Sequence, residues 1–195
     1  MNERIIRWSG SGVGICSLLA PIVLAGYDVQ VNTVPDFLKD ITVVAVVPAT
    51  CPPRVNCISA ESDLAQELQK YGKFTVIPAE RVRQAMIEAE IKQIDDTTRF
   101  TLAEKLHADA FLLPVIAESG TESQGGVGVW TGYTVTIVDS QVAKGNVQLL
   151  LIASKSGKTL MQGTGFGESE WRSKKGVLRK VFHSILAKAF GSPTG

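Results

Sequence analysis

A nearly continuous run of apolar and β-branched residues, Ile41 to Val47, constrains the fold most strongly. Such a run favours a strand, and Pro48 ends it. Because the apolar residues do not alternate with polar ones, both faces of this strand need a cover. A second run, Asp109 to Ile116, has the same character, and Pro114 predicts a bulge or a sheet edge near its end. The chain therefore requires helices packed against its sheet.

Apolar residues at helical spacing predict four such helices. Glu118 to Gly128 is rich in Gly and Ser and predicts a polar loop, and Val129 to Asp139 predicts the first of three strands in an antiparallel meander. The predicted order is β-α-β-α-α-β-β-β-β-α. This is an α+β domain with an α/β-like start, in which helices cover a mixed β-sheet.

The first 25 residues predict a bacterial export signal. Arg4 and Arg7 precede a stretch without charge, Gly10 to Gly26, and Val23 and Ala25 suit the −3 and −1 positions of signal peptidase. We therefore expect cleavage between Ala25 and Gly26. The alternatives are an uncleaved membrane anchor and a buried helix of a cytosolic protein.

Tyr27 stands where a lipoprotein signal would carry cysteine, and it has no thiol to take a lipid. Lipidation at this position is therefore excluded. The expected division is a signal peptide or anchor over 1–25, a polar connector over 26–40, one domain over 41–191 and a tail over 192–195. The expected location is the periplasm or the periplasmic face of the envelope, with membrane association through an amino terminus that is retained.

Cys51 and Cys57 enclose a short Pro-rich loop and predict a disulfide in an exported chain. In the chain-entropy model, closing this loop contributes about 2 kcal/mol. Free thiols and a metal site are the alternatives. A zinc site needs about four ligands, and both histidines, His107 and His183, lie far away in sequence.

Motifs that carry chemistry have weak support. Gly157-Lys158-Thr159 lacks the first glycine and the following helix of a P-loop, so it predicts a hairpin turn. Asp95 and Asp96 precede a helix and suit caps better than paired catalytic acids. A formal net charge of +1 gives no indication of nucleic-acid binding. We expect no catalytic residue, metal ligand or cofactor.

A cluster of cations lies at the start of the last predicted helix. Its position off the apolar stripe predicts exposed charges that bind an acidic partner or an anionic lipid face and contribute nothing to folding. The alternative is a solvated helix face. The residues of this basic patch are Arg172, Lys174, Lys175, Arg179 and Lys180.

The segments "GKFTVIPAERV" and "AEKLHADAFLL" and the closing strand pair around Gly157 resemble a periplasmic domain group. The group comprises the curli secretion protein CsgG, the lipoprotein activators of penicillin-binding proteins and the TolB amino-terminal domain. Over Ile41 to Gly191 the chain is most similar to small envelope lipoproteins. Tyr27 departs from their lipid-attachment cysteine, and the stretch after Thr121 lacks the long insertion of the CsgG barrel.

The resemblance implies a non-catalytic protein-binding or scaffolding module of the cell envelope, acting on an unidentified envelope protein or as a homo-oligomer. An accessory subunit of an envelope secretion or transport machine is the first alternative. A small hydrolase with an unrecognised site is the second.

Overall fold

The computed structural model describes residues 26–130, 135–169 and 172–192. These residues form six strands and four helices. In chain order the elements are β1 Tyr27–Thr33, β2 Val43–Val46, α1 Cys57–Gln69, β3 Thr75–Ile77, α2 Ala79–Glu88, α3 Asp96–Leu106, β4 Ala110–Trp130, β5 Val135–Ala153, β6 Thr159–Ser169 and α4 Lys174–Phe190.

The strands form one mixed sheet in the order β1-β6-β5-β4-β2-β3. Strand β2 runs parallel to β3 and β4, whereas the other neighbours are antiparallel. The parallel part follows from the helices that separate those strands in sequence, because a parallel pair needs a long crossover. The predicted α+β class, with helices covering a mixed sheet, is confirmed.

The polar connector predicted over residues 26–40 is wrong for its first half. Strand β1 pairs antiparallel with β6 along its whole length, from Tyr27 opposite Gly167 to Thr33 opposite Met161. Its apolar residues Tyr27, Val29 and Val31 pack against the core, while the polar residues between them are exposed. This period-two pattern was present in the sequence, but its β-branched residues are too few to stand out among polar neighbours.

The loop predicted from Glu118 to Gly128 is also wrong, because β4 continues as a strand to Trp130. A register shift between Ile116 and Glu118 supplies the irregularity expected near Pro114. The separate strand predicted over residues 129–139 is divided between the end of β4 and the start of β5. Backbone pairing with a neighbouring strand thus outweighs the Gly- and Ser-rich composition.

Two hydrophobic clusters lie on opposite faces of the sheet. Helices α1 and α4 cover one face, where Leu64, Leu68 and Phe182 are fully or almost fully buried. Helices α2 and α3 contribute Val82 and Leu102 to a smaller cluster on the other face. The strand residues in this smaller cluster come from β2, β3 and β4, so among the described residues α2 and α3 do not cover β1, β5 and β6 with this cluster.

Alternate residues of β6 are glycines, and they let α4 lie close to the sheet. A Cβ atom placed on Gly165 would lie 2.7 Å from Val181 Cγ1, and one on Gly167 would lie 2.7 Å from Val181 Cγ2. A Cβ on Gly163 would overlap Ile185. Because carbon atoms pack best at about 3.5–4.0 Å, the helix occupies space that any larger residue would need.

Candidate functional site

The disulfide loop and the basic patch, two separate predictions from the sequence, meet at one cavity. Its volume is about 220 Å³. One wall is the loop of Arg54 to Asn56 with the first turns of α1, and the opposite wall is the start of α4. Ser119 of β4 lies between them. We call this site the loop–helix cavity.

Cys51 and Cys57 form a disulfide that holds the loop wall in place, with their Cα atoms 6.1 Å apart. Cys57 is the first residue of α1, so the bond joins the loop directly to the helix. Asn56 caps this helix by accepting a hydrogen bond from the Ser59 N–H at 3.1 Å. Bond and cap together hold the backbone of the loop that carries Arg54, whose side chain is exposed.

The basic patch is divided by acidic residues of α1. Arg179 Nε donates to Glu67 Oε1 at 2.7 Å, and Lys175 Nζ lies 3.5 Å from Asp63 Oδ1. Both carboxylates are buried. The prediction that the patch contributes nothing to folding is therefore wrong for Arg179. Because α1 lies far away in sequence, the helical stripe of α4 gives no sign of these partners.

The remaining cations of the patch face solvent. Arg172 and Lys174 are exposed, and Lys180 is half-buried. Lys175 keeps 63% of its side chain exposed despite its acidic neighbour. Three cations, Arg54, Lys174 and Lys175, therefore lie around the opening of the loop–helix cavity.

Glu67 is the centre of an ion cluster between α1 and α4. Burial opposes its ionisation, but hydrogen bonds from Lys70 and Arg179 outweigh that cost, so the pKa of Glu67 is lowered. Lys70 Nζ lies 2.6 Å from Glu67 Oε1, and His183 Nδ1 lies 3.4 Å from Oε2. The cluster joins the two helices electrostatically.

Glu61 links three parts of the chain in a similar way. Its Oε1 accepts from the Ala49 N–H at 2.7 Å and its Oε2 from Arg83 at 2.7 Å. The Arg83 guanidinium also pairs with Glu80 at 2.6 Å. This carboxylate therefore connects α1 to α2 and to the segment that follows β2.

Asp109 fixes the start of the central strands. Its Oδ2 accepts from the Thr42 N–H at 2.9 Å, the Thr42 hydroxyl at 2.7 Å and the Val43 N–H at 3.0 Å. Burial raises the pKa of Asp109, but these hydrogen bonds outweigh it and the net pKa is lowered. The carboxylate is thus held ionised in a structural role.

The remaining candidates from the sequence also have structural roles. Asp95 is the N-cap of α3 and forms a capping box with Thr98, as expected. Gly157 has φ of 67° in the turn between β5 and β6, so the predicted hairpin is present. Nearby, Arg99 donates from Nε to the Ser154 carbonyl at 3.0 Å and closes this turn against α3.

The half of the sheet left uncovered by α2 and α3 forms a second surface, which we call the open face. It consists of the outward residues of β1, β6 and β5 and of the adjoining part of β4. Thr164 is exposed there, while Val115, Leu150 and Phe166 are half-buried and belong to neither hydrophobic cluster. The open face is therefore polar with apolar side chains set into it.

Neither a membrane-spanning helix nor a metal site is present among the described residues. None of the four described helices has the length and apolar character to cross a membrane. Among the same residues, no group of three or more His, Cys, Asp and Glu side chains is placed to hold a metal ion. The predicted signal and its cleavage position, Ala25 and Gly26, fall at or before the first described residue and stay predictions.

No protein-family model matches the sequence, and no curated protein sequence matches it either. Solved structures do share the fold. PelC from Paraburkholderia phytofirmans, solved as a dodecamer, is 16% identical with a TM-score of 0.56, and the match covers 87% of this chain and 100% of that one. Lipoprotein GNA1162 from Neisseria meningitidis is 20% identical with a TM-score of 0.51, over 77% and 99% of the two chains.

A more distant match is the LpoB C-terminal domain from Escherichia coli. It is 17% identical over 64% of this chain and 81% of that chain, with a TM-score of 0.42. At these identities the shared property is the fold. The chain therefore has the α+β fold of PelC and GNA1162 along nearly their whole lengths.

The sequence identified the disulfide loop and the cations of α4, but it did not show that they meet. It also missed Asp63 and Glu67, which lie four residues apart on one side of α1. Their spacing beside Leu64 and Leu68 was a signal that this side of the helix is buried against cations.

Proposed function

We propose that the chain is an exported, non-catalytic protein-binding module of the bacterial cell envelope, and that it acts as a scaffold assembled from copies of itself. The open face carries this proposal. Val115, Leu150 and Phe166 lie half-buried on it, and none of the four described helices covers them. Apolar side chains with a polar rim are typical of a protein interface.

The fold comparison supports a second copy as the occupant. PelC, whose whole length matches this chain, is a dodecamer. In a closed ring of copies, one surface of each copy meets a different surface of the next, which is a heterologous contact. The open face is suited to one side of such a contact because apolar side chains are set into a broad sheet surface.

The use of three carboxylates within the fold supports a role without catalysis. Glu61, Glu67 and Asp109 each accept hydrogen bonds that join separate elements of the fold. Their charges therefore contribute to the architecture, in keeping with a scaffold. Export rests on the sequence alone, through the uncharged stretch and the cleavage position that precede β1.

The assembly is tested by measuring the molar mass of the exported protein with light scattering after size-exclusion chromatography. We expect an oligomer, and we expect Thr164→Arg to reduce it to monomers because a charge would then lie in the middle of the contact. Thr164 is exposed, so the variant should keep its melting temperature. Thr101→Arg, at an exposed position of α3, is the matched control.

A wild-type chain that stays monomeric at every concentration would contradict self-assembly. An oligomer that persists in Thr164→Arg would contradict the open face as its interface. The non-catalytic role would be contradicted if the protein hydrolysed ester, peptide or glycoside substrates and this activity stayed with it through purification.

A further inference from the structure

We propose that the loop–helix cavity binds an acidic segment of a partner protein, with one apolar side chain in the cavity and carboxylates on the cations around it. This inference rests on the proposed protein-binding role and adds the chemistry of the partner. It concerns a surface separate from the open face, so its test and the test of self-assembly have distinguishable outcomes.

The interior of the cavity is suited to a single apolar side chain. Val55, Ala60 and Leu178 line it, and the last two are buried. Its volume of about 220 Å³ is below the roughly 300–1,000 Å³ of sites for drug-sized ligands. One leucine-sized side chain is therefore a better match than a cofactor.

The charge around the opening selects an acidic partner. Arg54 and Lys174 are exposed, and Lys175 is 63% exposed. Asp63 also lines the cavity, but it is buried beside Lys175 and leaves the outer charge positive. The amino-terminal ends of α1 and α4 both contribute to the site, and neither has an acidic residue in its first turn. Their dipoles add to the positive potential.

The walls of the cavity are held in place before any partner binds. The Cys51–Cys57 disulfide fixes the loop wall to α1. The Arg179–Glu67 pair fixes α4 to α1 on the other side. A site that is already ordered loses little conformational entropy on binding, which favours a small contact such as this one.

The probe for this site is a short synthetic peptide with one central leucine between glutamates, carrying a rhodamine label for fluorescence anisotropy. We expect it to bind the exported protein, and we expect a peptide with glutamines in place of the glutamates to bind much more weakly. Replacing its leucine by glycine should weaken binding without removing the salt dependence, because only the apolar contact is lost.

The test variant is Arg54→Gln with Lys174→Gln. It should bind the acidic peptide about tenfold more weakly, because two exposed charge contacts are lost. The matched control is Lys39→Gln with Lys158→Gln, which removes two exposed cations at the opposite end of the sheet, beyond Thr33 of β1 and before Thr159 of β6. The control should bind as the wild type does.

Molar mass is measured on the same samples to separate this proposal from the assembly. Weaker peptide binding by the test variant alone, with unchanged molar mass, supports the cavity as the site. Equal binding by test and control variants, or no binding of the peptide to the wild type, overturns it. Either of those results leaves the test of self-assembly unaffected.

Discussion

Adding a methyl group at Gly165 should separate α4 from the sheet. A Cβ atom there would lie 2.7 Å from Val181 Cγ1 and 3.1 Å from Ile185 Cδ1. Since carbon contacts are optimal at about 3.5–4.0 Å, the first of these is too short by roughly 1 Å. Val181 and Ile185 are fully buried, so they have little space to move.

The expected cost of Gly165→Ala is that of overpacking a core, about 1–3 kcal/mol. Replacing glycine also stabilises by roughly 0.4–1 kcal/mol, because the unfolded chain loses freedom. Gly120→Ala is the matched control, since Gly120 also lies in a strand but has nothing within 4 Å of an added Cβ. The gain from the unfolded state is common to both variants, so Gly165→Ala should be about 1–3 kcal/mol less stable than Gly120→Ala.

Urea unfolding followed by far-ultraviolet circular dichroism measures this difference. For a domain of this size the melting temperature should fall by roughly 2–4 °C for each kcal/mol lost. Val181→Ala removes the clashing methyl, so it should cost less in the Gly165→Ala background than in the wild type, with a coupling of about 0.5–3 kcal/mol. Equal stability of the two glycine variants, or no coupling to Val181, would refute the close packing of α4 on β6.

Four further outcomes are expected. Glu67→Ala should destabilise by about 1–2 kcal/mol in urea unfolding, because Arg179 and Lys70 lose charged hydrogen bonds but, being about half exposed, remain solvated. An unchanged free energy of unfolding would contradict the ion cluster. Folding lowers the pKa of the Glu67 carboxyl. The stability that its ionised form contributes is therefore complete above the usual pKa of 4.5 and is lost as pH falls through the folded pKa. The stability of Glu67→Gln should depend less on pH in this acid range. Burial raises the pKa of Tyr71 from 10.0 to about 12. The free energy of unfolding should therefore fall by up to about 2–3 kcal/mol as pH rises between those two values. Urea unfolding of Tyr71→Phe at alkaline pH should not show this loss. Cys51→Ser with Cys57→Ser should cost about 2 kcal/mol in non-reducing unfolding, and reactive thiols in the denatured, unreduced wild type would argue against the disulfide.

The sequence determined the features that depend on neighbouring residues. The continuous apolar run from Ile41 to Val47 required a covered strand, and the periodic apolar residues of α1 and α4 required one buried side on each helix. Helix caps and turns could also be predicted from the sequence, as Asp95 and Gly157 show, because their geometry is set within a few residues. The α+β class follows from these local patterns taken in order.

Only the tertiary structure decided which elements meet. Strand β1 is a strand because β6 lies beside it, although its partner residues come more than 120 positions later in the chain. The length of β4 depends in the same way on β5. Arg179 is a structural residue because Glu67, 112 positions earlier, is buried beneath it. Pairing and burial of this kind are set by contacts that are distant in sequence, and local patterns do not identify the partners.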